Sequence, residues 1–333
     1  MTARTSIGTA PLSPLDTASV RRMFEERLAM SAEWEAARTL APLRSMPVDE
    51  GEYPVPTSWV GLDLSTDAGA LTEVSLEGTE YPELTTAFTA RTFRCKRYMV
   101  GEFKVSRRRV RKLERESGID YEAHALSLIS AKASAAHYAN VLTALQTTGN
   151  YASGYQADGG NITSASFDFI GLLESIAVKL EDSQSWAVNQ PLRIVIGNDV
   201  WPYIGKLTQV KEQPGAGFAA QKGSTAAYAD FFRTYLGDGV EIHRAKGNYL
   251  AADGSTVSRY LSGAIALIVP FAGGDTKSFI STIVSEGDDG AALLDVRDQE
   301  VPAFDGRVVY ADAYYDVNIA SNDAGYLAHT LLS

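Results

Sequence analysis

The residues of this chain that could most readily do chemistry are its histidines and its single cysteine. The histidines stand far apart in the sequence, at His124, His137, His243 and His329. They show neither the His-Glu-x-x-His spacing nor the paired cysteines of a zinc site. If one helix carries His124 and His137, more than three turns separate them, so they would not face one another closely. We therefore expect solvated or core histidines.

Cys95 is flanked by cationic side chains at positions 94, 96 and 97, which would lower the pKa of a thiol. No general base accompanies it in a recognisable pattern, so a strand cysteine that faces the interior is the favoured interpretation. Among the glycine-rich stretches, Gly273–Ser278 lacks the spacer and the Gly-Lys pair of a phosphate loop. Residues 287–290 lack the alternating oxygen ligands of a calcium loop. The sequence predicts no catalytic residue, no metal ligand and no cofactor.

The charge of the chain reverses abruptly about a quarter of the way along. Residues 45–90 contain nine carboxylates and no Lys or Arg, whereas residues 91–115 contain eleven Lys or Arg and two Glu. These two blocks could neutralise each other within one chain. They could also join neighbouring copies, because complementary charge steers partners together and sets their register. The candidate contact residues are Glu73, Glu77, Glu80, Arg107, Arg108, Arg109 and Arg111.

The arginine cluster at 107–111 has two further interpretations. It could grip phosphate, although an exposed aromatic partner would be needed to make this nucleic-acid recognition. It could also be the solvated start of a helix. The net charge of −11 argues against a general affinity of the chain for nucleic acid.

Length and composition indicate a globular protein of more than one lobe. The 333 residues exceed one typical domain, and 45% hydrophobic residues suffice for a core. A single cysteine excludes an intrachain disulfide and fits a reducing compartment. No apolar run approaches the ~18 residues of a membrane span. Residues 1–14 lack the pattern of a secretory signal.

The periodicity of apolar residues predicts mixed secondary structure in the first half of the chain. We expect a helix from Asp16 to about Leu40, followed by an extended segment with a strand at Leu71–Leu76. One or two strands within 84–105 should have a solvent-exposed basic face, and a helix should follow at Tyr121–Gln146. The last of these is rich in Ala, the best helix former. A glycine-rich connector at 150–166 is a candidate boundary between lobes.

Shorter elements are predicted in the second half. We expect a helix at Phe167–Leu180, a strand at Leu192–Ile196, a helix capped by Asn198 or Asp199 that runs through Ile204, a loop at 213–230, and strands at Val240–Ile242, 263–269, Phe279–Val284 and Val308–Ile319. No internal repeat of fixed period is present.

Taken in order, this plan resembles the major capsid protein of tailed bacteriophages with the HK97-type fold. The similar features are the N-terminal arm, the long loop with Pro and Gly, the basic strand pair around Phe93–Tyr98, the Ala-rich helix, and the strand Leu192–Ile196 followed by Asn198–Trp201. The ending, with Phe304-Asp305-Gly306 and then Tyr314–Ile319, is similar to the closing strand of that family. The resemblance covers nearly the whole chain and rests on the order and character of its segments.

The resemblance implies an α+β fold with four parts. These are an N-terminal arm with a helix at 1–45, an extended loop (E-loop) at 46–88, a peripheral P-domain with a long spine helix at 89–150 and 295–333, and an axial A-domain at 160–290. It implies a structural protein, not an enzyme, which self-assembles into pentamers and hexamers of an icosahedral phage head enclosing double-stranded DNA. In some members a covalent bond between a Lys in the extended loop and a distant Asn links the subunits. Residues 45–90 contain no Lys, so we expect non-covalent contacts here.

The partners implied by the resemblance are other copies of the chain and packaged DNA held without sequence specificity, with no membrane. Scaffold, portal and decoration proteins are further partners in the family, and the sequence leaves open which of them take part. The implied location is the virion capsid, after assembly in the host cytoplasm. An encapsulin-like nanocompartment shell shares the fold and is the nearest alternative. An α+β enzyme of unknown class would need converging polar residues that the sequence does not offer.

Overall fold

The structure is a computed structural model. It describes residues 26, 30–56, 88–106, 121–184, 192–211, 225–237, 239–250, 255–271, 277–287, 290–291, 294–301 and 306–332. The described residues form two compact units. The smaller unit takes its residues from 1–35, 96–136 and 292–314, and the larger unit from 36–95, 137–291 and 315–333.

Helices and strands are mixed in the first part of the described chain, and only strands follow the last helix. The helices are α1 (Ala32–Leu40), α2 (Tyr121–Gln146), α3 (Phe169–Gln184), α4 (Trp201–Ile204), α5 (Thr208–Lys211) and α6 (Thr225–Leu236), with a 3-10 turn at Thr148–Asn150. The strands up to α6 are β1 (Leu43–Met46), β2 (Glu50–Pro56), β3 (Phe88–Arg94), β4 (Lys96–Ser106), β5 (Gln156–Asp158) and β6 (Leu192–Gly197). The later strands are β7 (Val240–Ala245), β8 (Asn248–Leu250), β9 (Val257–Arg259), β10 (Ile265–Ile268), β11 (Ile280–Gly287), β12 (Gly290–Ala291), β13 (Leu294–Val301), β14 (Gly306–Ile319) and β15 (Gly325–His329).

The smaller unit contains the first part of α2 beside long strands. β13 pairs antiparallel with the first part of β14, from Leu294 opposite Ala313 to Val301 opposite Gly306, and β4 also pairs with β14. In α2 the residues at three- and four-residue steps are buried, among them Leu126, Ile129 and Ala133. That spacing gives the helix one buried side.

The larger unit is built on a five-stranded sheet in the order β5-β15-β10-β6-β7. β6 and β7 are parallel, and β10 runs antiparallel to β6 and β15. The strands β6 and β10 are almost continuously apolar and buried, as expected of central strands covered on both faces. α6 packs on β7, and α3 packs on α6 and β15. In the same unit the end of β14 pairs with β11, and β11 pairs with β1.

Several predicted elements are confirmed. The long helix has the predicted bounds, Tyr121–Gln146. The predicted helix at Phe167–Leu180 corresponds to α3, the strand at Leu192–Ile196 to β6, and the strand at Val308–Ile319 to β14. The strand predicted at Leu71–Leu76 lies outside the described residues.

The continuous helix predicted from Asp16 to Leu40 is wrong at Ser31. Met30 lies in a turn and α1 begins at Ala32. The hydroxyl of Ser31 accepts a hydrogen bond from the amide of Trp34 at 3.4 Å, which is the contact an N-cap residue makes. Residues 16–25 lie outside the described residues.

The loop predicted at 213–230 is wrong at its C-terminal end, because Thr225–Leu236 forms α6. The Gly, Ala and Ser content of the segment favoured a loop, yet Tyr228, Phe231 and Phe232 are buried. The ring of Phe232 lies 5.7 Å from that of Phe169 in an edge-to-face contact. Aromatic packing against α3 therefore decides the structure here over local composition.

The cap predicted for α4 is also wrong. The residue before α4 is Val200, and no side chain caps the helix. The Asp199 carboxylate instead accepts hydrogen bonds from the Ser262 hydroxyl at 2.6 Å and the Gly263 amide at 3.1 Å. Asn198 accepts one from Arg244 at 2.7 Å. Both side chains therefore fix the turn before β10 and the end of β7, contacts that are distant in sequence.

The sequence pattern predicts neither β13 nor β15, and the connector predicted at 150–166 contains β5. None of the helices in the described part of the chain has the length and apolarity needed to cross a membrane.

Candidate assembly surface

The larger unit contains a two-stranded ribbon, and the chain between its two strands, residues 57–87, is called the acidic segment below. β2 and β3 pair antiparallel, with Glu50 opposite Arg94 and Pro56 opposite Phe88. Residues 57–87 connect the far ends of these strands, contain six of the nine carboxylates of the acidic block, and lie outside the described residues. The ribbon is thus the described base of that segment.

One face of the ribbon is apolar and buried. Tyr53 and Val55 of β2 and Phe93 of β3 form a cluster with Ile283 of β11 and Ala320. The alternation of a strand places Thr92 and Arg94 on the opposite face, where both are exposed. Because an isolated two-stranded ribbon is marginally stable in water, this apolar face determines where the ribbon attaches.

Tyr53 links the ribbon to β14 by a partly buried hydrogen bond. Its hydroxyl donates to Asn318 Oδ1 at 2.7 Å, and the Asn318 amide donates to the carbonyl of Thr92 at 3.0 Å. The guanidinium of Arg44 lies 4.2 Å from the centre of the Tyr53 ring. Burial raises the pKa of Tyr53 to about 12, against the opposing effect of Arg44 and Arg91, so the hydroxyl stays protonated and remains a donor.

Arg91 is directly opposite Tyr53 in the ribbon and reaches the loop that connects β14 to β15. Its Nε donates to the carbonyl oxygen of Ala320 at 3.0 Å, and its Nη2 donates to Asn322 Oδ1 at 2.9 Å. A guanidinium that contacts two acceptors at once fixes orientation as well as position.

The same loop is also held by an ion pair whose lysine is buried. The Lys277 side chain is 2% exposed, and its Nζ donates to Asp323, whose other carboxylate oxygen accepts from Ser321 at 2.6 Å. The Asn322 carbonyl also accepts from the Ala152 amide at 2.9 Å. A buried charge of this kind requires its partner, because an unpaired ammonium would be strongly destabilising.

The described cations of the basic block at 91, 94 and 97 have partners in their own chain. Arg94 pairs with Glu50 at 3.4 Å, and both side chains are largely exposed. Arg97 binds Asp312 through Nε at 3.1 Å and Nη2 at 2.5 Å, with the carboxylate 5% exposed. The acidic and basic blocks therefore meet within one chain at the Glu50–Arg94 pair, which as a surface ion pair contributes little stability.

Cys95 is half-buried and its thiol donates a long hydrogen bond, 3.7 Å, to the carbonyl of Ile283. Burial raises the pKa of the Cys95 thiol to about 11, and Asp316 and Asp49 add to this effect. The cationic neighbours in the sequence therefore do not activate the thiol. The prediction that Cys95 faces the interior is confirmed, but its placement within a strand is wrong, because Cys95 lies between β3 and β4.

The contact residues predicted from sequence remain a prediction. Glu73, Glu77, Glu80, Arg107, Arg108, Arg109 and Arg111 all lie outside the described residues. Sequence reasoning missed Tyr53, Arg91 and Asn318, which hold the ribbon. Arg91 and Ala320 are 229 positions apart, and no motif in the sequence marks such a pair.

The described residues hold no group of three or more His, Cys, Asp or Glu side chains that could bind a metal ion. His124 is exposed and His137 is buried, as expected of solvated and core histidines. The His137 Nε2 lies 3.0 Å from the Thr282 hydroxyl, and burial lowers its pKa to about 4.

Comparison with known proteins gives relatives by structure only. No family model matches the sequence, and no curated protein matches it significantly. A phage-related protein from Bordetella bronchiseptica matches with a TM-score of 0.65 and 12% identity, over 94% of this chain and 96% of that chain. The capsid of the cyanophage P-SCSP1u matches with a TM-score of 0.52 and 13% identity, over 87% of this chain and 86% of that one.

An encapsulin from Synechococcus elongatus PCC 7942 is similar to the same degree. It matches with a TM-score of 0.52 and 14% identity, over 91% of this chain and 88% of that one. Matches that span nearly the whole of both chains at such low identity report the fold. The chain therefore has the α+β HK97-type fold that phage capsid proteins and encapsulins share.

Proposed function

We propose that this chain is a structural capsid protein that assembles with copies of itself, as pentamers and hexamers, into an icosahedral phage head around double-stranded DNA. The observation that carries the proposal is the end-to-end match, at a TM-score of 0.65, to a phage-related protein. In this proposal the chain performs no catalysis and is located in the virion capsid after assembly in the host cytoplasm. Scaffold, portal and decoration proteins are its further partners where the phage encodes them.

The domain boundaries expected from the resemblance form part of the proposal. Residues 1–45 are the arm, 46–88 the extended loop, 89–150 with 295–333 the peripheral domain, and 160–290 the axial domain that surrounds the symmetry axes. The ribbon β2–β3 supports the loop assignment, because residues 57–87 leave from one of its ends and return to it.

The two charged blocks provide the joint between copies in this proposal. The acidic segment of one copy contacts Arg107, Arg108, Arg109 and Arg111 of the next. Two observations support this arrangement. Arg91, Arg94 and Arg97 have partners in their own chain, so the proposal assigns the joint to the arginines further along the basic block. Residues 45–90 also lack any cation of their own.

Negative-stain electron microscopy of the purified protein tests the function. We expect closed particles of uniform diameter, and a monomer that forms no particle over a range of salt and protein concentrations would contradict it.

The encapsulin match makes a nanocompartment shell the second candidate. Particles from the natural source distinguish the two: nuclease-resistant DNA supports the phage head, and a co-purifying cargo enzyme supports the nanocompartment.

A further inference from the structure

We propose that Arg91 is a positioning residue. It fixes the orientation of the ribbon β2–β3 on the larger unit, and this orientation is required for assembly with a neighbouring copy. This inference rests on the proposed shell function and adds a residue to which that function does not yet give a role.

The first step of the argument is that the apolar cluster fixes the position of the ribbon but leaves its direction weakly defined. Tyr53, Val55 and Phe93 contact the body through one face only. Apolar contacts are non-directional. A ribbon held by this face and by the hydrogen bonds of Asn318 with Tyr53 and Thr92 can still rotate about them unless a further directional contact prevents this.

Arg91 supplies that contact. On β3 it shares a face with Phe93, and its guanidinium lies 3.0 Å from the Ala320 carbonyl oxygen and 2.9 Å from Asn322 Oδ1. These two acceptors are two residues apart on one loop, so rotation of the ribbon would break at least one hydrogen bond. Charged hydrogen bonds with this geometry are stronger than neutral ones.

The loop that receives Arg91 is a firm anchor. Asp323 binds the buried Lys277, and the Ala320 amide donates to the Phe279 carbonyl at 2.9 Å. The Asn322 carbonyl accepts from the Ala152 amide at the same distance. The loop thus has hydrogen bonds to two other segments of the larger unit, one at residues 277–279 and one at Ala152.

Because Arg91 lies some distance from the end of the ribbon, a small rotation at Arg91 displaces that end. Pro56 lies three residues beyond Tyr53, the residue opposite Arg91, so the ribbon extends roughly 10 Å past this point. A rotation of about 20° at the Tyr53–Arg91 pair would move the end of the ribbon by about 3.5 Å, which approaches the ~4.8 Å spacing between paired strands. A displacement of this size would misplace the end of the ribbon, from which the chain continues into residues 57–87.

The test compares Arg91→Ala with Arg94→Ala, a matched control on the same strand. Arg94 faces solvent and makes an exposed ion pair with Glu50. Each variant removes one positive charge, so a charge effect alone would be equal in both. We expect Arg91→Ala to raise the critical concentration for particle formation by about tenfold or more. Arg94→Ala should assemble like the wild type.

Additional variants separate positioning from stability. Asn322→Ala removes one acceptor of the fork and leaves the charge unchanged, so it should shift the critical concentration in the same direction. In a double-mutant cycle, the effects of Arg91→Ala and Asn322→Ala should be less than additive, because they remove the same contact. Arg91→Lys should rescue assembly only in part, since a single ammonium does not reproduce the fork.

Thermal melts of the unassembled subunits give the readout for folding. If Arg91→Ala fails to fold, the critical concentrations of Asn322→Ala and Arg94→Ala still test the inference, because only Asn322→Ala should be raised. Folded Arg91→Ala or Asn322→Ala subunits that form wild-type particles at wild-type concentration would overturn the inference, as would equal impairment of Arg94→Ala. A wild-type protein that forms no particle would contradict the proposed function instead.

Discussion

Among single residues, His137 is a histidine whose burial changes its pKa and so affects the stability of the fold. Its side chain is fully buried beside Thr282, and the Tyr315 ring meets it edge-on with 4.9 Å between ring centres. Burial favours the neutral imidazole and lowers its pKa to about 4. The sequence predicted a solvated or core histidine and could not say which, because the apolar surroundings come from other elements.

We predict that His137 makes the subunit less stable in mild acid. An unfolded histidine has a pKa of about 6.5, so between about pH 6.5 and 4 the unfolded chain binds one more proton than the folded chain. The free energy of unfolding should therefore fall as the pH drops through this window, by about 3 kcal/mol in total from this residue. Urea unfolding of the unassembled subunit between pH 8 and pH 4 measures this slope.

His137→Gln should flatten the slope by the equivalent of one proton. Thr282→Val is the matched control, because it removes the hydroxyl at 3.0 Å and leaves the buried imidazole in place. It should lower stability at every pH and keep the wild-type slope. An unchanged slope in His137→Gln would show that another group is responsible for the acid sensitivity.

At the scale of elements, the end of β6 shows how tightly two segments far apart in sequence approach one another. The Gly197 amide donates to the Ala264 carbonyl at 3.0 Å, within a turn where Leu261 and Gly263 have φ values of 50° and 59°. A Cβ at Gly197 would lie 2.0 Å from the Leu261 carbonyl oxygen. Backbone atoms of a strained turn cannot move aside cheaply.

We predict that Gly197→Ala destabilises the subunit by about 3 kcal/mol or more, at or beyond the upper end of the usual overpacking penalty. Gly149→Ala is the control, because no atom lies within 4 Å of its added Cβ. It should change the free energy of unfolding by less than about 1 kcal/mol. Equilibrium denaturation of both variants gives the comparison, and equal stability of the two would refute the close approach.

Elements with strong local signals were predictable, and elements that depend on contacts were not. The Ala-rich helix Tyr121–Gln146 was predicted with its correct bounds, because propensity and periodicity agree there. The helix Thr225–Leu236 was missed, because its three buried aromatic residues gain their stability from α3 and β7. Asp199 was predicted as a helix cap, yet its acceptors are used by a turn more than 60 residues away.

At the scale of the whole molecule, the proposed joint between charged blocks makes a prediction about assembly. Reversing Arg107, Arg108 and Arg109 to Glu should leave a folded subunit that does not assemble, because like charges would face each other across the joint. Changing Glu73, Glu77 and Glu80 to Lys should have the same effect. Light scattering and negative-stain microscopy measure the assembled fraction.

The combined variant carries its own control, since it restores the net charge of the wild type. It should recover part of the assembly if the two blocks meet between copies. Wild-type particles from the triple Arg→Glu variant or the triple Glu→Lys variant would contradict the proposed joint. A combined variant that assembles no better than either triple variant would show that the blocks do not face one another.

The α+β class, the long helix, the charge reversal and the order of segments that resembles phage capsid proteins are all evident in the amino-acid sequence. These features are local or additive along the chain, so propensity, periodicity and counting reveal them. The folded structure is needed to see how the ribbon is held, because Tyr53, Arg91 and Asn318 come together across more than 220 residues. It also decided that Cys95 is not activated, since burial outweighs the neighbouring cations. Both outcomes depend on which residues become neighbours, and that information exists only once the chain has folded.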